Sequence, residues 1–110
     1  MDGRGSRPNG LERFFDGVTP DCVRYVGDGS WWRRLPNGVN KNPDFKVTGQ
    51  NKVIELFGDY WHRSDNPFVL IELFHRIGVE CLVVWENDLR RDPSGVVSLV
   101  EQFVGAEGGE

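Results

Sequence analysis

Apolar positions change their spacing along this chain, and each spacing predicts a different element. Leu11, Phe14 and Phe15 fall on one helical face, which predicts a first helix starting at Pro8 or Asn9, capped by Asn9 and ended by Gly17. Residues 22–26 and 30–34 read as two strands joined as a hairpin through Gly27-Asp28-Gly29, and residues 35–42 as loop. Residues 44–47 and 52–57 form a second pair of short strands around Thr48-Gly49-Gln50-Asn51. The period then lengthens. Leu70, Ile71, Phe74 and Ile77 share a helical face that is entered by Asp65-Asn66-Pro67 and stopped by Gly78. Cys81-Leu82-Val83-Val84-Trp85 is a continuous apolar run of strand length, as expected where both faces of a strand are covered. A last helix over about residues 93–104 carries Val96, Val97, Val100, Phe103 and Val104 on one side.

Strand, helix and strand from Lys52 to Trp85 make a βαβ unit, so those two strands are expected as parallel neighbours with a right-handed crossover. The earlier strands pair as antiparallel hairpins. The fold class is therefore α/β, a mixed central sheet flanked by helices. With 110 residues, no internal repeat and no long linker, one domain spanning residues 1–110 is expected, its ordered core at about 8–104 with frayed ends.

Composition narrows the class. Branched and aromatic residues are too plentiful for disorder, and no apolar run is long enough to span a membrane. The polar, Gly-rich start lacks the apolar stretch of a signal peptide. Cys22 and Cys81 lie far apart with no ligand-type neighbours, which fits reduced thiols in a cytoplasmic protein rather than zinc or a disulfide framework. The net charge of −4 is unevenly spread. Between Trp31 and Arg63 six cations (Arg33, Arg34, Lys41, Lys46, Lys52, Arg63) face three acids (Asp44, Glu55, Asp59). From Ser64 onward nine acids face only Arg76, Arg90 and Arg91. Phosphate binding needs a local basic patch, not a basic whole.

That same segment holds the candidate chemistry. Glu55 lies inside an otherwise apolar strand, where a carboxylate is costly unless it is paired, coordinates a cation or reaches an exposed end. Asp44 borders the neighbouring strand across a tight turn, so a hairpin can carry both acids to one end of the sheet. Two converging acids suit a hard cation such as Mg²⁺ or Mn²⁺, which polarises a phosphodiester and lowers the pKa of a bound water. His62 titrates near neutrality and can take that water's proton. Each residue also has a structural reading. Glu55 can pair with Lys52 or Lys46, Asp44 after Pro43 can cap a turn, His62 can pack beside Trp61, Asp65 can belong to a helix start, and Glu12 can face solvent.

The full series is Glu12, Pro43-Asp44-Phe45, Ile54-Glu55-Leu56-Phe57-Gly58 followed by Trp61-His62, then Asp65 and Leu82-Val83-Val84-Trp85-Glu86. It resembles the very-short-patch-repair (Vsr-like) branch of the PD-(D/E)XK nucleases, and more closely the related phage-type homing endonuclease catalytic domains with an E-D-x-H-D active site. The resemblance covers residues 8–89. It implies a restriction-endonuclease-like core that cuts DNA with Mg²⁺. Asp44 matches the metal-binding aspartate, and Glu55 the second acid of many relatives. In the repair enzymes a backbone carbonyl serves there instead, which Leu56 can supply. His62 matches the water-activating histidine, Glu12 the first-helix glutamate and Asp65 the last acid. The broad motif's lysine, two residues after the second acid, is Phe57 here, and the structural zinc ligands of the repair enzymes are missing.

The expected function is a metal-dependent DNA endonuclease with catalytic Glu12, Asp44, Glu55, His62 and Asp65, and metal ligands Asp44, Glu55 and Leu56. Arg33, Arg34, Lys41, Lys46 and Arg63 are the expected DNA-binding cations. With no recognisable base-reading motif, sequence choice falls to a separate or fused recognition module. The expected setting is the cytoplasm of a prokaryotic or phage-encoded system. A restriction or junction-resolving nuclease on the same fold is the second reading, and a non-catalytic DNA- or partner-binding domain the third.

Overall fold

The computed structural model describes residues 10–58 and 66–105. In chain order its elements are α1 (Gly10–Val18), β1 (Val23–Tyr25), β2 (Arg33–Arg34), β3 (Asn40–Lys41), β4 (Phe45–Val47), β5 (Lys52–Phe57), α2 (Pro67–Arg76), β6 (Glu80–Trp85), α3 (Glu86–Arg91) and α4 (Pro93–Gly105). The main sheet runs β1-β4-β5-β6, and β2 and β3 form a separate two-stranded arm. The result is an α/β fold with a mixed sheet and helices on both faces.

Strand β5 organises everything else. All six of its residues are buried, so it needs cover above, below and on both edges. It pairs antiparallel with β4, setting Phe45 against Ile54, and parallel with β6 from Lys52 opposite Glu80 to Phe57 opposite Trp85. The β4–β5 turn passes through Gly49 at φ 82°, a left-handed conformation that glycine takes without a steric penalty. On one face Ile54 and Leu56 join Val23, Phe45, Val47, Phe15 of α1, Leu89 of α3, and Val96 and Val100 of α4. On the other, Val53 packs with Leu35, Phe74 of α2, Val79 and Cys81. Side-chain alternation along β5 thus divides the core in two, with Glu55 on the α2 side.

The α2 crossover follows from its ends. Asn66 caps the helix by accepting the Phe68 N–H at 2.9 Å, and Pro67 stands in the first turn, where a missing N–H costs nothing. Beyond the helix Gly78 turns left-handed at φ 79° and delivers Val79 to the sheet. The parallel β5–α2–β6 unit matches the sequence expectation, as do α4 and the β4–β5 hairpin.

Several expectations are corrected. The hairpin between residues 22–26 and 30–34 does not form: β1 pairs with β4, matching Val23 to Val47 and Tyr25 to Phe45. The N–H groups of Val26 and Gly27 both donate to the Asp44 carbonyl, at 2.9 and 3.1 Å, which leaves the chain after β1 bound to the start of β4 and unable to fold back. The 35–42 stretch is not all loop, because β3 pairs with β2 around a turn in which Leu35 N–H donates to the Val39 carbonyl. Helix α1 runs through Gly17 to Val18, and its buried face is Leu11 and Phe15, while Phe14 is exposed. Asn9, the expected cap, lies outside the described residues. Glu86 does not end a strand but opens α3, a helix the sequence pattern does not announce.

Candidate functional site

The β4–β5 register, extended one step past Phe45 and Ile54, sets Asp44 opposite Glu55, and a second step sets Pro43 opposite Leu56. Pro43 is fully buried and has no N–H to give. At this step the Leu56 N–H donates to Asp44 Oδ2 at 2.8 Å. In an extended strand a residue's N–H and C=O share one edge, so the Leu56 carbonyl also lies on the β4 side, where Pro43 supplies no donor. Asp44, Glu55 and the Leu56 backbone therefore meet at one end of the sheet, as the sequence predicts.

Burial dominates the electrostatics. Glu55 is only 3 % exposed and its Oε2 accepts no hydrogen bond from the described residues. Among the described residues its nearest cation is Lys41 of β3, with Nζ 3.8 Å from that oxygen. Neither Lys52 nor Lys46, the partners considered from sequence, fills this place. Desolvation, and then the charge of Asp44, push the Glu55 carboxyl up to about 8, against a weaker opposing pull from Lys41. Asp44 is also raised, chiefly by burial, although the Leu56 N–H favours its charged form. Each carboxyl lies in the other's field, and Glu55, raised the more strongly, is held toward its protonated form at neutral pH. They open onto a cleft of about 500 Å³ walled by Leu35 and Val39 on the arm side and by Val69, Leu70 and Leu73 of α2.

Two residues given no role from sequence belong to this end of the sheet. The Tyr25 phenol feels the nearby Glu12 carboxylate, and its ring stands edge-on to Phe45 with centroids 5.5 Å apart. Burial, then Glu12 and Asp44, raise Tyr25 to about 12, so it stays a protonated donor. Glu12 thus reaches the neighbourhood of Asp44 through Tyr25. Glu86, at the start of α3, adds a negative charge that disfavours ionised Asp44. Its position after the apolar-Trp run was the available signal, whereas nothing in the sequence marks Tyr25.

His62, Arg63 and Asp65 lie outside the described residues. Among the described residues no group of three or more His, Cys, Asp or Glu side chains could hold a metal ion. A cation would therefore rest on the Asp44–Glu55 pair with backbone and solvent oxygens, a donor set suited to a hard ion.

The basic residues divide. Arg33 and Lys46 both lie over the ring of Trp31, 5.4 and 5.2 Å from its centroid, which ties the arm to β4. Arg34 is exposed and donates to the Gly38 carbonyl at 3.3 Å. Lys52, counted in the basic surplus, is buried and donates to the Phe103 carbonyl near the end of α4 at 2.5 Å, so it is a structural residue. No helix among the described residues is long and apolar enough to cross a membrane. Comparison with protein-family models, with curated proteins and with solved structures finds no match.

Proposed function

We propose that this chain is a metal-dependent DNA endonuclease domain that hydrolyses phosphodiester bonds on a restriction-endonuclease-like core. The observation that carries this reading is the buried Glu55 oxygen, without a hydrogen-bond partner among the described residues, set beside Asp44 at the head of a cleft. Two adjacent buried carboxyls destabilise a fold, and the bond from the Leu56 N–H accounts for Asp44 but not for Glu55. A divalent cation between them accounts for both. The mixed sheet with helices on both faces supports the proposed core.

In this reading Asp44, Glu55 and the Leu56 carbonyl hold Mg²⁺ or Mn²⁺. The ion supplies charge stabilisation at the phosphate and a bound water of lowered pKa. His62 takes the water's proton, and Asp65 keeps the role of last acid that the resemblance implies. Glu12 is a positioning residue: it orients Tyr25, whose ring packs on Phe45 beside Asp44. Arg34 and Lys46, with Arg33 and Arg63, hold the DNA backbone without reading bases, so a fused or separate module supplies sequence choice. A non-catalytic DNA-binding domain would use the same basic arm and leave the carboxyl pair unexplained.

The test is plasmid nicking. The full chain should nick supercoiled DNA with Mg²⁺ or Mn²⁺ and not with EDTA, and Asp44→Asn should not. A wild-type chain inactive with both metals overturns the reading.

A further inference from the structure

Strand β5 brings Glu55 to the cleft, and Asp44, just before β4, stands opposite it. Phe57, on the same face as Glu55, is buried edge-on against Trp85 with centroids 5.4 Å apart. Among the described residues the positive charge at this cleft comes from the arm. Lys41, paired with Arg33 across β2 and β3, extends to within 3.8 Å of Glu55 Oε2.

The contact is not a closed ion pair. Charge-assisted N–H to carboxylate bonds close to about 2.7–2.9 Å, whereas this gap is nearly an ångström longer and no hydrogen bond spans it. A flexible lysine whose task was to neutralise Glu55 would close it, as Arg76 closes on Glu72 at 3.1 Å. Lys52, by contrast, is fully engaged with the Phe103 carbonyl. Lys41 keeps a third of its side-chain surface open and lines the same cleft as Asp44 and Glu55. It is a partly desolvated ammonium held beside the carboxyl pair with donor protons to spare.

We propose that Lys41 is a catalytic residue of this site, its ammonium donating to a non-bridging oxygen of the scissile phosphate held against Asp44 and Glu55. The inference rests on the nuclease reading and assigns within it the group that meets the phosphate's charge. Water adds its oxygen to phosphorus and the P–O bond to the leaving ester oxygen breaks. The water's proton passes to the base, and the leaving oxygen takes a proton from solvent. Lys41 keeps all three of its protons and offsets the charge that grows on the phosphoryl oxygens.

The experiment compares the full-length wild type with Lys41→Met. Cleavage of a DNA duplex is followed at saturating DNA and Mg²⁺, binding of the same duplex is measured with Ca²⁺, and melting is recorded with and without Mg²⁺ alone. We expect kcat to fall about 10²–10³-fold, the scale of losing one preorganised donor, with duplex affinity nearly unchanged and the Mg²⁺-dependent rise in melting temperature retained. A wild-type kcat in the variant overturns the proposal and leaves Lys41 as a partner of Glu55. A loss confined to affinity also overturns it and makes Lys41 a DNA tether. Either result leaves the nuclease reading standing, whereas failure of that reading shows in the wild type itself. If Lys41→Met does not fold, Lys41→Gln, which keeps a polar chain on the arm, is judged by the same readouts.

Discussion

The Leu56 N–H donates to Asp44 Oδ2 at 2.8 Å, which fastens the first carboxylate to the strand that carries the second. Asp44 is thus a structural acceptor and a proposed ligand at once, and two substitutions separate the roles. Asp44→Asn keeps an acceptor for Leu56 and should melt close to wild type, yet lose both the Mg²⁺-dependent rise in melting temperature and cleavage. Asp44→Ala strands the Leu56 N–H and should cost about 1–3 kcal/mol in denaturant unfolding. An Asp44→Asn protein still stabilised by Mg²⁺ would remove Asp44 from the ligand set.

Glu55→Gln removes one of two crowded acids and keeps the shape. Without metal this variant should melt higher than wild type at pH 8, while Mg²⁺ stabilisation and nicking fall sharply. If Lys41 pairing were instead the reason for Glu55, the variant would melt no higher and would still cut. Melting curves with and without Mg²⁺, with one nicking assay, distinguish the two.

Stability without metal should fall as pH rises. Glu55 moves from an ordinary 4.5 up to about 8 on folding, so between those values the native state binds more protons than the unfolded chain. The loss begins above about 4.5 and is complete above about 8; raised Asp44 adds to it in the same direction. A tenfold change in proton affinity is worth about 1.4 kcal/mol, so the Glu55 contribution is on the order of 5 kcal/mol. Urea midpoints taken across that range should slope downward for wild type and flatten for Glu55→Gln. A wild-type midpoint that climbs over the same range contradicts a raised Glu55.

The two buried or half-buried lysines of the sheet should behave oppositely. Lys46→Ala should weaken DNA binding and lower the slope of log affinity against log salt by about one. Lys52→Met loses the bond to the Phe103 carbonyl and should lower the melting temperature with no change in DNA affinity. Weaker DNA binding by a fully folded Lys52→Met protein would return Lys52 to the basic surface.

How much of this was legible in the sequence depends on how local each cause is. Asn66-Pro67 and Gly78 bound α2 through their own backbone chemistry, and the run from Cys81 to Trp85 announces a strand covered on both sides. Asp44 and Glu55 could be brought together because a tight turn fixes the register between them. The pairing of β1 with β4 was not legible. It depends on the Asp44 carbonyl accepting from Val26 and Gly27 across a gap in sequence of more than fifteen residues, and the glycines at 27 and 29 mimic a local hairpin. The surroundings of Lys41 and Tyr25 escape the sequence for the same reason: one lies in an apparent loop and the other in a short strand, and their neighbours come from other elements. The chemistry expected of His62 and Asp65 lies outside the described residues.

Position 55 also bears on how this protein can be engineered. Val53, Ile54, Leu56 and Phe57 surround it with apolar neighbours in a strand buried at every residue. A redesign judged only by burial and polar satisfaction would write valine or isoleucine there, and the resulting sheet would be the better-ordered one. Stabilising this chain by such criteria and preserving its proposed activity are therefore opposed at that residue. Libraries selected for thermostability alone should lose Glu55 early, whereas libraries that must also cut DNA should keep it and find their gains elsewhere in the fold.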